Sequence, residues 1–180
     1  MTRSLGARVG WGLSRLAALG GRASIYYVID DADWSIYWDG RYITEGLRDR
    51  HGWKTEIVRR TGGIRGQIIQ FGSRYSFLDG SCGSLYLFNR IFLTWFHGNP
   101  TDPDFTKLFD ALGRVAGVAE KIVVPCTLTK APLLDMGLPP EQLVTIPLGV
   151  ELGRFRPATS AEKEIIRDDL GIADGAVVVG

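Results

Sequence analysis

Short apolar runs separated by segments of helical length dominate this chain, and that alternation limits what it can fold into. Ile25-Tyr26-Tyr27-Val28-Ile29 opens the series, and residues 55–59, 67–71, 91–96, 122–124 and 143–146 continue it as strand candidates. Residues 42–50, 105–117 and 128–136 have helical length, and Phe105, Leu108, Phe109 and Leu112 share one face at i, i+3, i+4 and i+7. Strands fed one at a time through helices form right-handed crossover units, which build a parallel sheet covered by helices on both faces. The pattern restarts beyond Pro157 with a helix at residues 162–170 and a strand at 176–179. A chain of 180 residues, 45% hydrophobic, can bury the core of one domain and the opening of a second.

Charge divides the chain unevenly. Arg3, Arg8, Arg15 and Arg22 stand in residues 1–22 without an acid, whereas the whole chain carries only +1, so the remainder is net −3. No global field favours nucleic acid. At helical spacing Leu5, Val9, Leu13 and Leu16 form one face and Arg8, Arg15 and Arg22 another, but Gly6, Gly10, Gly12, Gly20 and Gly21 weaken a helix. Residues 1–22 therefore read either as a frayed basic tail or as an amphipathic helix making weak contact with an anionic membrane surface. Arg15 interrupts any secretory apolar core, and the chain lacks a run of about 20 apolar residues; a cytoplasmic protein, peripheral at most, is expected. Cys82 and Cys126 have no second thiol at metal-ligand spacing, so both are expected to be reduced and no metal is predicted.

Turn chemistry near the end of the alternation carries a resemblance. Ile146-Pro147-Leu148-Gly149-Val150-Glu151, followed by Phe155 and Pro157, closes a short strand at a proline, offers a glycine able to adopt positive φ, and supplies an apolar anchor in Phe155. Upstream lie Lys121-Ile122-Val123-Val124-Pro125-Cys126-Thr127 and Met136-Gly137-Leu138-Pro139-Pro140-Glu141-Gln142-Leu143-Val144. Over residues 91–180 these stretches resemble the strand–helix–strand run and the I-P-N-G-V-D signature of family 4 glycosyltransferases with the GT-B architecture; Leu148 replaces the usual Asn and Glu151 the usual Asp. The resemblance implies an interdomain crossover at Pro147, Gly149, Glu151 and Phe155. Beyond the basic tail or amphipathic helix at 1–22, it implies a Rossmann-like acceptor-side domain at 23–155, and the crossover with the first elements of an incomplete C-terminal domain at 156–180. It also implies sugar transfer from a nucleotide diphosphate sugar to a hydroxyl acceptor, with retention and without a cofactor.

Open parallel sheets bind ligands at the carboxyl ends of their strands. The loop after Ile29 reads Asp30-Asp31-Ala32-Asp33-Trp34-Ser35-Ile36-Tyr37-Trp38-Asp39-Gly40, with carboxylates to accept sugar hydroxyls and rings to stack on sugar faces. Asp33, Trp34, Trp38, Asp39 and Gly40 are candidate substrate contacts. The plainer alternative has the tryptophans packing on the sheet and Asp39 capping a helix. The loop after Phe96 reads His97-Gly98-Asn99-Pro100. A lone histidine is as often structural as functional, but the resemblance places His97 beside the transferred sugar as the catalytic candidate, with Gly98 and Asn99 lining the substrate. His51 before Gly52 reads as a helix-terminal dipole partner. Asp102-Pro103-Asp104 reads as a helix start, with Asp102 as cap and Pro103 in the first turn.

The Walker, dinucleotide and nucleophile-elbow motifs are absent, as is any E-x(7)-E pair. The family places that pair, with the basic groups that neutralise the diphosphate, in its C-terminal domain. This chain is therefore expected to be a fragment, inactive by itself, that positions the acceptor. Two rivals are a sugar-nucleotide epimerase of similar architecture, for which two histidines are few, and a non-catalytic sugar- or partner-binding module that keeps the fold.

Overall fold

The strand candidates fold as their apolar patterns require. The computed structural model describes residues 24–31, 34–78, 88–96, 112–173 and 175–178. In chain order the elements are β1 (Ile25–Val28), α1 (Ser35–His51), β2 (Thr55–Val58), β3 (Ile68–Phe71), α2 (Arg74–Leu78), β4 (Arg90–Thr94), α3 (Leu112–Val118), β5 (Lys121–Val124), α4 (Thr127–Asp135), β6 (Leu143–Thr145) and α5 (Ser160–Asp169). The sheet is wholly parallel, in the order β2-β1-β3-β4-β5-β6. Among the described residues no helix is long and apolar enough to cross a membrane.

Register assigns the side chains to two unlike faces. Val28, Phe71, Leu93, Ile122 and Leu143 are aligned across five strands, and all five are buried. Phe77 of α2, Val115 of α3 and Leu133 of α4 close over that face. Phe77 meets Phe71 edge-on with ring centroids 5.2 Å apart. The opposite face carries Tyr27, Gln70 and Phe92 in register, and α1 covers its β1 end. Beyond α1 this face is half-polar: Gln70 Nε2 donates to Thr94 Oγ1 at 2.7 Å, and Arg90 makes a two-pronged pair with Glu120 at 2.6 and 2.9 Å.

Helix ends follow local chemistry. Gly52 ends α1 at φ +67°, beside Arg48 and Arg50, whose charge suits the helix C-terminus; His51 lies in that last turn, where its sequence context implied. After α4, Gly137 takes φ +86°. Gly137 N–H donates to Leu134 O at 2.9 Å and Leu138 N–H to Leu133 O at 3.1 Å, a doubly bonded reversal that turns Leu138 into the core.

Three expectations need correction. The first helix starts at Ser35 rather than residue 42, so Trp38, Asp39 and Gly40 are helical and Asp39 is no cap. Gly149 does not take a positive φ; the chain instead turns at Glu151, whose carbonyl accepts from Arg154 N–H at 3.0 Å and Phe155 N–H at 2.8 Å. Residues 176–178 form no strand, because among the described residues no neighbouring strand is there to pair with them. The expected helix at 105–117 is described only from Leu112 onward.

The chain divides into two compact units: Met1–Pro147, which holds the sheet, and Leu148–Gly180. The sequence placed this boundary near residue 155. In the second unit Thr159 caps α5 through a reciprocal box with Glu162, and Arg156 grips the same carboxylate at 2.6 and 2.9 Å. The Arg156 guanidinium, then the Thr159 backbone N–H and hydroxyl, hold the Glu162 carboxyl down at about 2. A depressed carboxyl contributes above its ordinary value of 4.5 and loses that contribution as pH falls toward about 2. Helicity of residues 160–169, followed by NMR, should persist at pH 5 and decline between about pH 4 and pH 2; Glu162→Gln should flatten that profile.

Gly40 and Gly72 generate a second prediction. A Cβ on Gly40 would lie 2.6 Å from the Tyr27 ring, and one on Gly72 would lie 2.5 Å from it, whereas nothing stands within 4 Å at Gly46 in the same helix as Gly40. In denaturant unfolding, Gly40→Ala should destabilise by roughly 1–3 kcal/mol through overpacking. Gly46→Ala should stabilise by up to about 1 kcal/mol through helix propensity.

Candidate functional site

The connections from β1 to β2 and from β3 to β4 leave in opposite directions along the sheet, because β2 and β4 flank the β1–β3 pair on opposite sides. Their loops part at the carboxyl ends of β1 and β3, and such a switch point opens a crevice. Side chains with chemistry collect there. Asp30, just past β1, accepts a short hydrogen bond from Ser76 Oγ of α2, and Arg59 Nη1 donates to the Asp30 carbonyl at 2.7 Å. Past β3, Ser73 Oγ accepts from Tyr75 N–H at 3.1 Å and starts α2. Arg74 is only 5% exposed. Its guanidinium lies over the Trp95 ring at 5.1 Å and the Tyr75 ring at 4.8 Å, and its Nη2 donates to Tyr75 Oη at 3.1 Å. Stacking replaces part of the hydration this cation loses on burial.

On the other side of the crevice, α1 presents a ladder of rings. Trp34, Trp38 and Tyr42 recur at i, i+4 and i+8 and are 62%, 43% and 44% exposed, so they face outward rather than onto the sheet. Trp38 lies 6.3 Å from Tyr42 and 5.6 Å from Tyr37 between ring centroids. Arg41 covers the Trp38 ring at 5.4 Å and pairs with Glu45 at 2.8 Å. Asp39 on the same helix is half-buried, and burial raises its carboxyl above the ordinary 3.8. Gly40 lies on the inner side of the helix, buried beneath the Tyr27 ring. Its contact is with the core tyrosine.

Trp34, Trp38 and Asp39 thus all lie at the start of α1, the element that follows the carboxyl end of β1. Asp33, His97, Gly98 and Asn99 lie outside the described residues, as do Asp102, Cys82 and residues 1–22. The strand that leads to His97 is in place: β4 passes through buried Thr94 and Trp95, and the Phe96 carbonyl accepts from Thr129 Oγ1 at 3.4 Å. Pro147 ends the first unit, while Gly149, Glu151 and Phe155 belong to the second. Phe155 is 60% exposed with Arg154 5.5 Å above its ring, so it does not anchor a core within that unit. Cys126 is a free thiol. Among the described residues no group of three or more His, Cys, Asp or Glu side chains is placed to hold a metal ion.

Tyr27, Ser73, Arg74 and Ser76 were missed by sequence reasoning. The available signal was Gly72-Ser73 directly after a strand of four residues, a combination that marks a turn at the ligand-binding edge of a parallel sheet. No family model matches the chain, and no curated protein matches it.

The placement of Asp39 has a measurable consequence. A carboxyl raised by burial favours its protonated form in the folded chain, so it supports folding at acid pH and loses that support as pH rises through the folded value. A carbon-detected titration should give Asp39 a midpoint above 3.8, and Asp39→Asn should leave stability at pH 7 unchanged or higher.

Proposed function

We propose that this domain binds the hydroxylated acceptor of a glycosyl transfer whose donor is a nucleotide diphosphate sugar. One observation carries the reading: outward-facing Trp34 and Trp38 share the start of α1 with the Asp39 carboxyl, and that helix follows β1 and Asp30 at the switch point of a parallel sheet. Rings of this kind stack on the C–H faces of a sugar, and carboxylates accept its hydroxyl protons. The resemblance of residues 91–180 to family 4 glycosyltransferases supplies the reaction class, with retention of configuration.

In this scheme the first unit holds the acceptor and His97 offers one hydrogen bond to a reacting sugar or to the acceptor hydroxyl. Charge on the departing diphosphate is neutralised by groups of a second domain. Catalysis then rests on orientation and preorganised electrostatics rather than on a covalent nucleophile.

Two measurements test the proposal. Saturation-transfer NMR with methyl glycosides should detect binding by this chain, and Trp34→Ala or Trp38→Ala should weaken it by about tenfold, equivalent to ~1.4 kcal/mol. Both rings are exposed, so melting temperature should barely move. In a protein that joins this chain to a donor-binding domain, His97→Ala should lower kcat/KM by roughly 10²-fold at unchanged stability. Transfer that survives His97→Ala, or glycoside binding indifferent to both tryptophans, contradicts the assignment.

A further inference from the structure

Tyr27 combines burial with an unanswered hydroxyl. Its ring is 1% exposed, yet Oη has no hydrogen-bond partner among the described residues. Register pairs Tyr27 with Gln70, while a Cβ added at Gly72 would lie 2.7 Å from the Tyr27 hydroxyl and 2.8 Å from Ile36 Cγ2. The side chain therefore runs two residues along the sheet, toward its carboxyl edge, and delivers its hydroxyl between the end of β3 and the first turn of α1. The oxygen is itself buried, beneath the β1/β3 switch point. Two glycines, Gly40 and Gly72, leave the space that this ring occupies.

A phenylalanine would fill the same volume without burying an unpaired polar atom, which is destabilising. The hydroxyl is thus kept at the expense of the ligand-free fold. We infer that the Tyr27 hydroxyl is a specificity-determining contact of this crevice, donating its proton to a hydroxyl oxygen of an uncharged, carbohydrate-like ligand, directly or through one bound water. The inference rests on the acceptor-binding reading and adds to it the residue and the ligand's charge class. Burial, then the carboxylates of Asp39 and Asp30, hold the phenol well above its ordinary pKa, so it is a neutral donor throughout the physiological range. The same two carboxylates disfavour an anionic oxygen there and accept protons from a sugar hydroxyl.

The test compares wild type with Tyr27→Phe in three measurements. Without ligand, the variant should melt at the same temperature or a few degrees higher. Its dissociation constant for a methyl glycoside should rise about three- to tenfold, the value of one neutral hydrogen bond. Inorganic phosphate at the same concentration should not displace the glycoside from wild type. A lower melting temperature would show that the hydroxyl serves the fold, and displacement by phosphate would show an anion site; either result overturns the inference. Equal glycoside affinity in both proteins overturns it while sparing the acceptor reading. Absence of glycoside binding by wild type overturns both.

Discussion

A tyrosine seated in the space left by two missing Cβ atoms fixes the geometry on which the candidate site depends. Tyr27 projects from β1 between α1 and the end of β3, and a Cβ at Gly40 or Gly72 would stand only 2.6 or 2.5 Å from its ring, so closely do both backbones approach it. Side-chain burial of this kind is individually worth a few kcal/mol, but its positional effect is larger than its energy. The ring sets how near α1 can lie to the sheet, and hence where the first turn of that helix and its outward row of Trp34, Trp38 and Tyr42 stand relative to the carboxyl end of β1.

The two faces of the sheet divide the work of folding and recognition. One is closed by aligned aliphatic and aromatic side chains from five strands and three helices, the source of most of the domain's hydrophobic stabilisation. The other, beyond the reach of α1, mixes Gln70, Thr94, Arg90 and Phe92, and its polar groups are matched to one another rather than to water. The Arg90–Glu120 pair joins the start of β4 to the residue before β5 with fork geometry that only a guanidinium supplies.

The strands were legible because their residues are buried on one face and half-buried on the other, which leaves short, mostly apolar runs, and Ile25–Val28, Ile68–Phe71 and Lys121–Val124 read that way directly. The beginning of α1 was not. Acids, aromatics and a glycine between Asp30 and Gly40 suggest a loop, and only the demand of Tyr27 for a residue without a Cβ explains a glycine inside a helix. The five-residue α2 is too short to show a period. Val177 and Val178 have strand composition, but strand formation depends on a neighbour that local composition does not reveal. For the site, the carboxylates and rings could be named from their order along the chain. Their exposure, and the arrival of Ser73, Arg74 and Ser76 from beyond the end of β3, follow from the β1–β3 pairing.

The sheet's outer strands also govern how the molecule meets other molecules. β2 spans four residues and β6 three, so each outer strand among the described residues offers only a short row of backbone donors and acceptors. Lys54 precedes β2, Arg59 and Arg60 follow it, and Pro147, which has no N–H to donate, lies two residues beyond β6. Cations and a proline at such margins discourage strand-to-strand stacking between copies. The residues that flank these short edge strands thus disfavour strand-by-strand growth of the sheet, a colloidal consequence of sequence at its margins.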